Sequence, residues 1–281
     1  MTLTSVVTLM IADPAGSAAR ARAHFVGHKL TLVFLPSLCY TIITMKRKEM
    51  VKMNILVIDT ETANEVETPM PYDVGYQIMD TETGEILVRR SFVVAEIFLD
   101  KELMASAYFA EKIPNYWEDL ATGRRVMKGI FNIRKQIRQD MGNYGVRKVG
   151  AYNMGFDRRA THNDIRYISG SMVRWFFPYG TEYFCIWNMA CTSILNTEEY
   201  VNFCLDNNFV TDCNNIQTSA EVAYRFITND VNFIEEHTGL EDVTIECEIL
   251  KTILDSGINY QSRPYSGCWR TVQKKRKEMG V

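Results

Sequence analysis

From residue 53 onward the apolar and polar positions follow two rhythms. Residues 54–59, Asn-Ile-Leu-Val-Ile-Asp, form a short β-branched run without polar interruption, the pattern of a strand buried on both faces. After a polar loop, the runs 74–79 and 85–94 flank Asp80-Thr81-Glu82-Thr83-Gly84, which predicts a hairpin and so three antiparallel strands in series. Residues 101–120 and 126–141 space their apolar positions more widely, with charges between, as helices lying on a sheet do. Strand character returns at 148–153, a helix is predicted over 158–168, and 184–189 reads as a short strand. Helical pattern resumes at Asn196, with Thr218-Ser219-Ala220-Glu221 as a capping box for one further helix. The strongest helix covers 240–254, where Val243, Cys247, Leu250 and Leu254 share a face and Gly257 follows the end. The order β-β-β-α-α-β-α-β-α predicts an α/β fold, a central mixed β-sheet flanked by helices.

Composition narrows this only a little. A chain of 281 residues can bury one good-sized core, so one enzyme domain with appendages is expected. A net charge of -3 excludes a bulk-basic nucleic-acid coat but not a nuclease that grips phosphate through metal and a local patch. Seven cysteines (39, 185, 191, 204, 213, 247 and 268) without a CxxC pair indicate neither a zinc site nor a disulfide framework, and reduced thiols fit a cytoplasmic protein.

Residues 1–52 differ from the rest. Arg20, Arg22, Lys29, Lys46, Arg47 and Lys48 outnumber Asp13 and Glu49, and the apolar stretch 30–44 contains Pro36. That stretch is shorter than the roughly 20 residues a membrane span needs. A signal peptide or mitochondrial-type presequence is one reading. The preferred one is a leader outside the domain, disordered or the product of a mis-assigned start, with Met45, Met50 and Met53 as alternative starts. The domain then runs over 53–262, and a basic, irregular tail over 263–281 carries Lys274-Lys275-Arg276-Lys277, either solvated or tracking phosphate.

Three short elements carry the chemistry. Asp59-Thr60-Glu61 ends the first strand, so the pleat sends both carboxylates to one side of the sheet. Two such neighbours repel unless a cation sits between them, and hard oxygen ligands favour magnesium or manganese. Taken alone, such a triplet is often only a solvated turn. Asp157 stands where an apolar strand meets a helix, and by itself it reads as a helix cap as readily as a ligand. His237 precedes the strong helix and Asp242 falls in its first turns, positions that ordinary surface residues also take.

Together, Ile-Asp-Thr-Glu-Thr, Asn-x-x-Phe-Asp ending at Asp157, and His237 followed by Asp242 resemble the three motifs of the DEDDh (DnaQ-like) 3′-to-5′ exonucleases. The resemblance spans about 54–254 and is greatest to phage and prophage exonucleases. Tyr72-Asp73-Val74-Gly75-Tyr76, Arg174-Trp175-Phe176-Phe177-Pro178 and the run 237–250 are similar to that group. It implies an RNase H-like fold in which Asp59, Glu61, Asp157 and Asp242 hold two Mg2+ or Mn2+ ions and His237 is the general base. It further implies a nucleic acid with a free 3′ end as substrate, single-stranded DNA first and RNA as the rival, and release of nucleoside 5′-monophosphates. Thr60 and Glu61 would contact the terminal sugar, with Thr62 and Phe156 shaping the pocket or serving only turn and core. A phage or prophage replication or repair setting in the host cytoplasm follows, with partners among replication and repair proteins and none in a membrane. The competing reading is a catalytically idle nucleic-acid-binding or polymerase-associated module.

Other residues invite a role. His162 lies near Asp157 at almost helical spacing and reads as a surface histidine, since the motifs already supply a base. Trp175, Phe176, Phe177 and Tyr179 read as core, or as a stacking platform for unpaired bases.

Overall fold

The computed structural model describes residues 6–12, 18–26, 29–33, 53–257, 264 and 266–281. The chain divides into two compact units, Met1–Val51 and Lys52–Val281. In the first, strands β1 (Val6–Ala12), β2 (Ala18–Val26) and β3 (Lys29–Val33) pair antiparallel in that order. Pro36, Cys39, Met45, Met50 and most of the apolar stretch 30–44 lie outside the described residues, as does Arg263.

The second unit is built on strands β4 (Asn54–Ala63), β5 (Met70–Asp80), β6 (Ile86–Val94), β7 (Val126–Lys128), β8 (Lys148–Ala151) and β9 (Glu182–Cys185). They form one sheet in the order β7-β6-β5-β4-β8-β9. The β4-β5-β6 series is antiparallel, whereas β8 runs parallel to β4, β9 parallel to β8 and β7 parallel to β6. This mixed sheet flanked by helices is the α/β arrangement that the apolar pattern predicted. β4 lies in its middle, and Ile55, Leu56, Val57 and Ile58 are all fully buried, as an uninterrupted apolar run requires.

The two faces divide by strand parity. Leu56 and Ile58 of β4, with Tyr72, Val74, Tyr76 and Ile78 of β5, join one apolar cluster with Ile133, Ile137 and Ile165. Those last residues belong to α4 (Ile130–Asn143) and α5 (Met154–Ser169), which follow the short helices α1 (Ala95–Phe98) and α2 (Lys101–Met104) and helix α3 (Ile113–Thr122). The opposite face meets α9 (Gly239–Asp255), which follows α6 (Ile186–Cys191), α7 (Glu198–Asp206) and α8 (Ala220–Thr228). On that side Gln77 donates from Nε2 to Thr244 Oγ1 at 2.7 Å.

Several elements differ from the pattern reading. The helix expected over 101–120 is broken: α2 stops at Met104, a 3-10 turn covers Ala110–Lys112, and α3 starts with Pro114 in its first turn. Proline starts a helix more readily than it continues one, and the Tyr108 N–H is drawn off to the Thr62 carbonyl. Val126 opens a strand rather than a helix, and α4 begins only at Ile130, whose N–H donates to the Glu96 carboxylate. α5 starts four residues before its expected position, and beyond Cys185 the expected strand becomes α6. Ser219, not Thr218, caps α8 by accepting from the Val222 N–H, while Thr218 Oγ1 accepts from Trp187. The expected irregular tail contains helix α10 (Trp269–Met279), on which Val272 and Gln273 are buried. Gln273 accepts from the Ile216 N–H and donates to its carbonyl, so two backbone bonds hold a helix that has little apolar surface of its own. Lys275 and Lys274 pair with Glu198 and Glu278. Among the described residues no helix is long and apolar enough to cross a membrane.

Candidate active site

The site begins where β4 runs out from under the apolar core. Its register sets Asp59 opposite Gly75 and Glu61 opposite Asp73 of β5, and both acids lie on the face that meets α9. α9 reaches this point because no Cβ stands at the crossing: one added to Gly75 would overlap the Gly239 carbonyl. The first turn of α9 thereby delivers Asp242. One carboxylate oxygen from each of Asp59, Glu61 and Asp242 lies within 4.8 Å of the others.

Asp157 joins through a different contact. Asn153, at φ 104°, occupies the N-cap position of α5, so Asp157 falls in the first turn and does not cap the helix. Its Oδ1 accepts from Thr60 Oγ1 at 2.9 Å, tying α5 to the strand between Asp59 and Glu61. Thr60 and Asp157 are both buried; Thr62 and Phe156 are half-buried, and the Arg159 guanidinium lies over the Phe156 ring.

Electrostatics sets these groups apart from ordinary buried acids. Burial, then the charges of Glu246, Asp157, Asp242 and Glu61, pushes Asp59 well above the usual carboxylate range. Burial and the charges of Asp73, Glu235 and Asp157 raise Glu61 to about 8, although a hydrogen bond with Asp242 opposes the rise. Asp242 is pushed up to about 9 by burial and then Glu235 and Glu61. Asp157 rises to about 7, chiefly by burial, against the Thr60 hydroxyl. Buried oxygens of Asp59, Asp242 and Glu246 have no hydrogen-bond partner among the described residues. Like charges at this spacing require protons or cations between them. A donor set made only of carboxylate oxygens, some already stripped of other partners, fits a hard divalent cation.

His237 is not part of the oxygen cluster. It stands on the approach to α9 with φ 54°, a left-handed conformation uncommon for a residue with a side chain. Its ring stacks on Phe109 with centroids 4.2 Å apart and planes 8° from parallel, and Nδ1 is 3.8 Å from a Glu235 oxygen. Partial burial lowers its pKa, so the ring is mostly neutral and able to accept a proton near pH 7.

The sequence reading missed three contributors. Glu246 lies one helical turn beyond Asp242 and is 3% exposed; an acid on the apolar face of α9 is the signal that could have found it. Glu235, raised to about 7 by burial and Glu221, adds negative charge beside Glu61 and Asp242. Asp73 is fully buried and accepts from Tyr116 Oη at 2.7 Å, Arg125 Nη1 at 3.0 Å and the Gly239 N–H at 3.0 Å. Arg125 also pairs with Glu241 at 2.6 Å, so β5, α3 and the start of α9 are locked together. One expectation is overturned and another divides. His162 is 4% exposed rather than at the surface, because the loop carrying Trp175 covers its helix face. Of the aromatic run, Phe176 and Phe177 are core while Trp175 and Tyr179 face solvent.

No protein-family model matches the chain, and no curated protein matches it. Among solved structures, E. coli exonuclease I in complex with a dA16 oligonucleotide aligns over 73% of this chain at 14% identity and a TM-score of 0.44. The match takes in 41% of that protein's length. The nuclease domain of 3′hExo, a DEDDh family member bound to rAMP, aligns over 76% of this chain and 97% of its own at 14% identity, TM-score 0.46. The cell-death related nuclease CRN-4 aligns over 80% and 76% at 10% identity, TM-score 0.43.

Proposed function

We propose that the chain is a metal-dependent 3′-to-5′ exonuclease releasing nucleoside 5′-monophosphates from the 3′ end of single-stranded DNA. The observation that carries this reading is the convergence of Asp59, Glu61 and Asp242 at the junction of β4 and α9, with buried oxygens left unpartnered. On this reading Asp59, Glu61, Asp157 and Asp242 hold two Mg2+ or Mn2+ ions. Bound there, such ions supply a nucleophilic water and stabilise charge on the scissile phosphate and the leaving 3′ oxygen.

The remaining work falls to the chain itself. Thr60 fixes the Asp157 carboxylate by its hydroxyl, and the Thr60 backbone with Glu61 receives the terminal sugar, with Thr62 and Phe156 beside them. His237 takes the proton of the attacking water through a ring nitrogen; its neutral state leaves a lone pair for this task. Glu235, close to Nδ1, favours the imidazolium that forms. The setting that goes with the reading is phage or prophage replication or repair in the host cytoplasm.

The test uses 3′-labelled and 5′-labelled DNA and RNA oligonucleotides with Mg2+, Mn2+ or chelator. The expected result is labelled mononucleotide from 3′ ends, metal-dependent, faster on DNA, and reduced about 10²–10⁴-fold in His237→Ala. Faster turnover of RNA would move the substrate to RNA; internal cleavage, or full activity in chelator, would overturn the proposal.

A further inference from the structure

Beside Asp157, α5 turns a row of arginines toward a separate cleft. Arg158, His162 and Arg166 follow one another at four-residue spacing and so share a helix face, with Arg159 on its flank. Together with Trp175 they line a cavity of about 280 Å³. Among the described residues none of these three arginines has a carboxylate in ion-pair range; Arg158 lies over the Tyr183 ring, and Arg159 spends one N–H on the Val66 carbonyl at 3.2 Å. Arg166 Nε is buried without a hydrogen-bond partner, and so are both ring nitrogens of His162. Burial lowers the imidazole to about 4 against the pull of the Arg158 backbone, and the charges of Arg158 and Arg166 add to the fall, so the ring is neutral, with one donor and one acceptor. A buried histidine with neither nitrogen used is costly unless something else completes it.

The far wall is an aromatic built for contact. Trp175 meets His162 edge-on at 4.9 Å and carries the Arg166 guanidinium over its ring at 5.2 Å, yet is 51% exposed. Its loop is held firmly: Arg134 and Arg138 donate to the carbonyls of Trp175, Phe176 and Phe177, and the two phenylalanines are sunk in the core. Holding an indole half in water, on a backbone fixed by two arginines, leaves a preformed stacking surface.

We propose that this cleft is a subsite for the single strand entering the active site, in which Arg158, Arg159 and Arg166 receive phosphates and Trp175 stacks one base. His162 hydrogen-bonds the phosphate or base edge lodged there. The proposal rests on the exonuclease reading for the polarity of the strand, and only for that. Nine residues of helix separate Asp157 from Arg166, about 14 Å along the axis at 1.5 Å per residue. A stacked strand advances roughly 3.4 Å per nucleotide, so Trp175 and Arg166 meet about the fourth nucleotide from the 3′ end.

Polarisation binding of 5′-fluorescein-labelled oligo(dT) of 2 to 12 nucleotides, in an Asp59→Ala background that prevents turnover, tests this. Trp175→Ala should weaken binding of the 12-mer about ten-fold or more, as loss of one stacked base does. The loss on the 12-mer should exceed that on the dinucleotide by a similar factor. Arg166→Gln should reduce the slope of log affinity against log salt by about 0.7 for the 12-mer, and Arg166→Lys should restore it. Weakened binding in these variants with no hydrolysis in the wild type would support the subsite and end the nuclease reading. Unchanged affinity at every length in both variants would overturn the subsite. So would an equal loss for the dinucleotide and the 12-mer, which would confine the cleft's contacts to the terminal nucleotides.

Discussion

Two aspartates on neighbouring strands, on the same face of the sheet, have opposite fates. Asp73 of β5 is fully enclosed and fully answered: a tyrosine hydroxyl, a guanidinium and the N–H of Gly239 all donate to it. Asp59 of β4 is half-buried among Glu246, Asp157, Asp242 and Glu61, and its buried Oδ2 has no donor. The fold therefore has the means to neutralise a buried acid here and uses them where they lock α9 in place. At Asp59 donors are withheld, and four further acids are drawn in. An ion-pair network serves architecture in the first case; in the second, carboxyl oxygens without donors are gathered where they could hold a cation.

Substituting one acid in each place tests that division most strongly. Asp59→Asn should reduce nuclease turnover by about 10³-fold or more, the equivalent of several kcal/mol of metal-borne stabilisation. In chelator the same variant should melt higher than the wild type, because one repelling charge is gone. A lower melting temperature in chelator would place Asp59 with Asp73 as a structural acid. Arg125→Ala should do the reverse. It leaves Asp73 and Glu241 without their shared cation and should cost about 3–5 kcal/mol, or roughly 6–20 °C in melting temperature for a chain of this size. A loss below about 1 kcal/mol would show that the Asp73 network is not what holds α9.

The pH dependence separates the two places again. The folded values of about 8 for Glu61, 9 for Asp242 and 7 for Asp157 lie above their ordinary values of 4.5, 3.8 and 3.8. The folded state thus holds protons that the unfolded chain has released. Stability from these groups is fully present below about pH 4 and is lost as pH rises through about 7 to 9. Thermal melts in chelator should fall across that window, and Mg2+ should restore them far more at pH 8.5 than at pH 5.5. Parallel curves with and without Mg2+ would contradict the scheme. The smallest effect is expected at Thr60→Val, which removes only the hydroxyl on Asp157. Metal affinity should fall about 10–100-fold, the usual consequence of losing a ligand's supporting hydrogen bond. Calorimetric titration of Mn2+ would measure it, and an unchanged affinity would exclude Asp157 from the ligand set.

What the sequence disclosed tracks how local each signal is. β4 is a continuous apolar run and α9 repeats its buried residues every three or four positions, so both were readable with the acids at their ends. Asp59, Glu61 and Asp242 followed, because strand pleat and helix start are properties of a few consecutive residues. Asp73 and Glu246 were not legible as contributors: what makes them matter is Arg125, 52 positions from Asp73, and the burial of Glu246 against the Tyr152 backbone. α10 escaped for a related reason. Its sequence is mostly basic, and its attachment depends on the Gln273 side chain finding the Ile216 backbone, which no periodicity encodes. The same holds for His162, buried only because a loop thirteen residues on folds back over its helix.

The central claim, that charge left uncompensated around Asp59 is a seat for divalent cations, is tested most directly by counting Mn2+ on the protein. Equilibrium titration at pH 8 followed by electron paramagnetic resonance should find two ions per wild-type chain and none held tightly after Asp59→Asn with Asp242→Asn. A wild-type chain that takes up no Mn2+, or a double variant that binds as the wild type does, would contradict the account.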